Sequence, residues 1–119
     1  MAKKLGKVII KVDGKALASK TGASLDLGGV QRTTVKSALG MGFSEEDMPS
    51  KLECELIFGA GDKLAPIRSW DNVTLAFEAD TGQVYVVAGA WCLNPPNLTG
   101  NEGGSVKLTF EGPPAEEML

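Results

Sequence analysis

Few side chains in this 119-residue chain have types and spacings suited to chemistry. Glu53 and Glu55 stand two apart, Glu45-Glu46-Asp47 form an acidic run, Cys54 and Cys92 are the two thiols, and Phe58-Gly59-Ala60-Gly61 precedes Glu78 by about twenty positions. Paired carboxylates serve as general acid and base when a pocket drives their pKa values apart. Glu53 and Glu55 instead fall on the polar side of an alternating segment, which predicts solvated carboxylates. The glycine run imitates a dinucleotide-binding fingerprint, but Leu64 stands where its third glycine belongs. The repeated βαβ units such a site needs behind it are also missing. Histidine is absent altogether, which removes Ser-His-Asp triads, Cys-His pairs and His-ligated zinc. Two cysteines are too few for a disulfide scaffold and lack metal-ligand spacing, so both read as buried free thiols. The sequons Asn72-Val73-Thr74 and Asn97-Leu98-Thr99 would matter only on secretion. No catalytic, cofactor or metal constellation emerges, and the chain reads as a non-enzyme.

The elements carrying these residues are short and punctuated. Asp13-Gly14 between VIIKV and KALAS is a strong signal for a two-residue hairpin turn. VQRTTVK at 30–36 alternates as a strand, whereas SALGMGFSEEDMPS at 37–50 has no clear period and reads as a long loop. KLECELIF at 51–58 points Leu52, Cys54, Leu56 and Phe58 one way and Lys51, Glu53 and Glu55 the other. Asp62 is placed to cap a two-turn helix that tolerates Pro66 and lays Leu64, Ile67 and Trp70 on the sheet. NVTLAFEA at 72–79 turns Val73, Leu75 and Phe77 inward and Thr74, Ala76 and Glu78 outward. After Asp80-Thr81-Gly82, QVYVVAGAWCL at 83–93 is apolar on both faces and reads as a central strand covered by the helix or another subunit. GSVKLTFEG at 104–112 supplies a last strand, with Val106, Leu108 and Phe110 inward, and the residues from Pro113 onward read as a flexible tail. The expected fold is mainly β, an antiparallel sandwich or barrel of about seven strands with one short flanking helix.

Composition agrees with one compact domain over residues 1–119: 43% hydrophobic and 23% charged residues indicate neither disorder nor a membrane protein. The basic N-terminus lacks the apolar core of a signal peptide, which predicts a protein kept in a cytosol or exported by another route. The net charge of −3 conceals an asymmetry, since residues 1–36 sum to +6 and the remaining 83 to −9. Such a division suits either an ordinary mixed surface or a subunit whose basic edge meets the acidic edge of the next.

The opening Asp-Gly-Lys hairpin, Gly28-Gly29-Val30-x-Arg32, LECEL at 52–56, FEADTGxVY at 77–85 and VKLTFEGPP at 106–114 together resemble the tail tube proteins of Mu-like contractile-tailed phages. The resemblance is collinear over almost the whole chain and weakest at 37–50 and after Pro114. It implies a barrel-like subunit that forms hexameric rings, stacked into a hollow tube within a contractile sheath. Tape measure and baseplate proteins would be further partners, double-stranded DNA would pass through without sequence-specific binding, and the protein would belong to the virion after assembly in the host cytoplasm. Related tubes serve phage-derived bacteriocins and type VI-like systems, and a small β-sandwich binding module is the alternative of another class.

With about four strands per subunit in a shared barrel of about 24, a spacing near 4.8 Å and a tilt near 40° give a backbone diameter of roughly 48 Å and a lumen near 40 Å. A duplex about 20 Å across would pass ungripped if the wall does not neutralise its phosphates. The four strands at 30–36, 51–58, 72–79 and 83–91 read as two hairpin-like pairs separated by the helix, and Glu53, Glu55, Thr74 and Glu78 on their polar faces are the expected lumen residues, the alternative being that they face solvent on the outside. The resemblance also implies that the 37–50 segment reaches an adjacent ring, with Met41, Phe43 and Met48 as its apolar anchors.

Overall fold

The computed structural model describes residues 6–17, 19–20, 22–57, 64–100 and 105–118. Its first element pair is the hairpin of β1 (Val8–Val12) and β2 (Lys15–Leu17). Asp13 and Gly14 both adopt positive φ, 50° and 85°, as the mirror-image turn between twisted strands requires. The Asp13 carboxylate accepts a 2.8 Å hydrogen bond from the Thr74 backbone N–H, so the turn also fastens the hairpin to the neighbouring strand. That neighbour is β7 (Val73–Ala79), which pairs on its far side with β8 (Val84–Cys92).

A second layer contains β3 (Ser24–Asp26), β6 (Ser50–Ile57), β10 (Ser105–Gly112) and β9 (Asn97–Thr99). All pairings are antiparallel, in the order β2-β1-β7-β8-β10-β6-β3. Strand β8 belongs to both layers. Between Val73 opposite Ala90 and Leu75 opposite Val87 it carries one residue more than β7, and Gly89 has φ 72°. This bulge bends β8, so that Trp91 and Cys92 pair with Glu111 and Phe110 of β10.

Alternation puts one face of each layer into a shared core. Ile10, Val12, Val73, Leu75, Phe77 and Val87 come from one layer, and Leu52, Cys54, Leu56, Val106, Leu108 and Phe110 from the other. Trp70 stacks on Phe110 with ring centroids 6.0 Å apart. Leu52, Cys54, Leu56, Val73, Leu75, Phe77, Val106, Leu108 and Phe110 are inward as expected from the sequence, and the structure adds Ile10, Val12 and Val87. Phe58, Asp62 and the glycine run lie outside the described residues, so their expected roles find no counterpart here.

Several expectations need correction. Residues 37–50 are not a loop: β4 (Gly29–Ser37) and β5 (Gly40–Met48) form a nine-pair hairpin that is a sheet of its own. Its turn is only Ala38-Leu39, and glycine and acidic residues hide the period of β5 because no face of it meets a core. Strand 30–36 therefore pairs with 40–48 and not with 51–58. The tail is likewise not free, because β11 (Glu116–Met118) pairs with β8 at Val84–Val86. The helix, α1 (Ala65–Arg68), is one turn rather than two, with Pro66 in its first turn and Ile67 buried. With the short strands β2, β3, β9 and β11 included, the described residues hold eleven strands rather than seven.

Candidate assembly surfaces

The hairpin is the least supported element of the molecule. Every residue of β4 and β5 except Gly29 is exposed, and among the described residues neither strand pairs with anything but the other. Cross-strand register sorts its side chains onto two faces. On one, Val30, Arg32, Thr34 and Lys36 lie opposite Asp47, Glu45, Phe43 and Met41. Arg32 is central there: its guanidinium lies 5.6 Å from the Phe43 ring centroid, and its Nε is 3.9 Å from Glu45 Oε1. Met48 lies opposite Gly29 at the base, on the face carrying Gln31, Thr33 and Val35. Of the expected anchors, then, Met41 and Phe43 share one face of the hairpin and Met48 lies on the other. Leu39, which sequence reasoning passed over, is the turn itself and 99% exposed. Its position between two glycine-flanked segments was the available signal.

The outward faces of the two layers differ in chemistry. The β3-β6-β10-β9 layer presents Ser24, Asp26, Lys51, Glu53, Glu55, Lys107, Thr109 and Glu111. Lys51 Nζ lies 3.3 Å from Glu53, and Lys107 is directly opposite Glu55. Each lysine thus has a glutamate neighbour, and four acids outnumber two bases.

The outward face of β1-β7-β8-β11 has two cross-strand rows, Ile9-Glu78-Val84-Met118 and Lys11-Ala76-Val86-Glu116. Lys11 and Glu78 form a 2.9 Å ion pair, and Thr74 lies further along β7 on the same side. The rest of this face is largely apolar. Because both layers turn their apolar sides to one core, these faces look away from each other. Glu53 and Glu55 are brought together, as are Thr74 and Glu78, but the two pairs do not share a surface.

No group of three or more metal-ligating side chains occurs among the described residues. Burial, and secondarily the neighbouring Cys92, pushes the Cys54 thiol up to about 12. Cys92 is also raised by burial, against a hydrogen bond at Asn94 that lowers it. Both thiols are free as expected, but only Cys54 is buried, Cys92 being half-buried at the bend of β8, and neither is an activated nucleophile.

Comparison with known proteins places these surfaces in context. A family model described as phage tail tube protein matches residues 1–117. The chain is 33% identical over 105 residues to the tail tube protein of Escherichia phage Mu, covering 88% of this chain and 86% of that protein. It is 35% identical over 103 residues to the Mu-like prophage FluMu tail tube protein of Haemophilus influenzae, covering 87% and 86%. Among solved structures, the anti-feeding prophage tube-terminating cap superposes with a TM-score of 0.71 at 10% identity, over 94% of this chain and 87% of that one. The PVC sheath-tube complex in its extended state gives 0.67 at 10% identity, over 95% and 88%. Those two likenesses concern the fold alone, but the family match spans nearly the whole chain: this protein belongs to the phage tail tube protein family, whose members are structural proteins and not enzymes.

Proposed function

We propose that the subunit forms hexameric rings that stack into the inner tube of a contractile phage tail, delivering double-stranded DNA to the host. The observation that carries this reading is the bare hairpin. A two-stranded ribbon is marginally stable by itself in water, and Leu39, Met41 and Phe43 expose large apolar surface on it. A second copy in the adjacent ring supplies the missing cover. Contacts of this head-to-tail kind do not close on themselves and so generate a filament.

The acidic face bearing Glu53 and Glu55 suits the bore, since glutamates beside Lys51 and Lys107 keep phosphates from finding unpaired cations. The apolar face bearing Thr74 and Glu78 suits contact with neighbouring protein. Sheath, tape measure and baseplate proteins complete the assembly, which forms in the host cytoplasm and becomes part of the virion.

Replacing residues 34–43 with Asn-Gly shortens the hairpin while retaining a compatible turn. The shortened subunit is expected to keep its circular dichroism spectrum and form no tubes in electron micrographs at concentrations where the parent protein does. Normal tubes from this variant would refute a stacking role for the hairpin.

A further inference from the structure

The hairpin joins the body through a break at the same level in both strands. The β3·β6 ladder ends with Asp26 opposite Lys51, and the hairpin ladder begins with Gly29 opposite Met48. Between them, Gly28 has φ 72°, and a Cβ there would fall 2.6 Å from the Ser50 backbone nitrogen. Pro49 has no N–H to offer a ladder. A junction of this kind does not by itself hold the ribbon at one angle.

Both of its strands are gripped by one other segment. The buried Ser50 hydroxyl donates its proton to Pro113 O at 2.7 Å, with Gly112 O as a more distant acceptor at 3.3 Å, and Ala115 N–H donates a 2.8 Å bond to Leu27 O. Beyond Ala115 the chain enters β11, whose ladder on Val84–Val86 anchors it to the opposite layer. Gly112 starts this path by close approach, since a Cβ there would meet Val87 Cγ1 at 2.8 Å.

We infer that residues 112–118 are a brace, with Ser50 as its positioning residue, that holds the hairpin at the angle needed for stacking. The inference rests on the stacking role proposed above, but the brace acts in the unassembled subunit and is tested there. Nitroxide labels at Ala38→Cys, on the hairpin turn, and Lys107→Cys, on β10, report the angle as a distance distribution. A Cys92→Ser background leaves only the buried Cys54, which does not label.

With residues 1–119 intact, one narrow distance is expected. Ending the chain after Pro114 removes the Ala115 bond and β11, and should widen the distribution at least twofold while the fluorescence of Trp70 and Trp91 stays native. Ser50→Ala, which keeps β11, should widen it less and lengthen the lag of tube formation several-fold. If truncation unfolds the subunit, the Ser50→Ala distribution decides. An unchanged narrow distance in a folded truncated subunit, or in Ser50→Ala where truncation unfolds, overturns the brace. Tubes from the hairpin-shortened variant would overturn the stacking role instead.

Discussion

Cys54 shows how an alternating position converts into a measurable property. It lies on the inward side of β6, opposite Leu108, and burial lifts its pKa from 9.0 to about 12. The folded state therefore retains the proton that the unfolded chain gives up. The corresponding stability is complete below about pH 9 and is lost as pH rises towards 12. Cys54→Val removes this linkage, so the stability of the variant relative to the parent should increase with pH above 9 in urea titrations. A difference independent of pH would show that the thiol is not held neutral by the fold. The burial itself was legible in LECEL. The second influence on the thiol was not, because Cys92 lies 38 positions away and comes near only through the β6-β10-β8 arrangement.

At the scale of elements, the strands with a buried face announced themselves and the hairpin did not. Leu52, Leu75 and Leu108 alternate with polar residues because one side of each strand enters the core. In β5 both sides are wet, so Met41 and Phe43 sit among Gly40, Gly42 and Glu45 without the contrast that reveals a strand. The same exposure makes the ribbon weak. In the unassembled subunit its amides at Gly29–Met48 should exchange with deuterium at least tenfold faster than those of β6 and β10, and become protected on tube formation. Equal protection before assembly would mean that the hairpin is stable without a neighbour. The terminal strand was hidden for a related reason: Glu116–Met118 is three residues long and mostly polar, and only the open edge of β8 makes it a strand.

For the whole molecule, charge and shape bear on assembly together. The chain extends 64 × 40 × 27 Å, and its elongation suits a subunit that reaches a neighbour better than one that works alone. The division into +6 over residues 1–36 and −9 over the rest is partly met inside the subunit, where Lys11 pairs with Glu78 and Arg32 lies beside Glu45, and in the proposed head-to-tail stack the remaining charges would supply attraction between rings. Raising salt from about 0.05 to 0.5 M shortens the screening length from roughly 14 to about 4 Å and should slow polymerisation several-fold. A rate unaffected by salt would assign the contact to the apolar side chains of the hairpin.

By itself, the sequence determined the β-rich architecture, the inward residues of the main strands, the Asp13-Gly14 turn and the absence of histidine chemistry. Each of these depends on alternation, local turn geometry or side-chain type, all of which act over a few residues. Only the tertiary structure decided that Glu53 and Glu55 look away from Thr74 and Glu78, that residues 29–48 leave the body as a ribbon, and that Pro113 and Ala115 hydrogen-bond to the two strands at its base. Those outcomes depend on which strand lies beside which. Pairings such as Ser50 with Gly112 and Val86 with Glu116 join positions far apart in the chain, where no local preference acts.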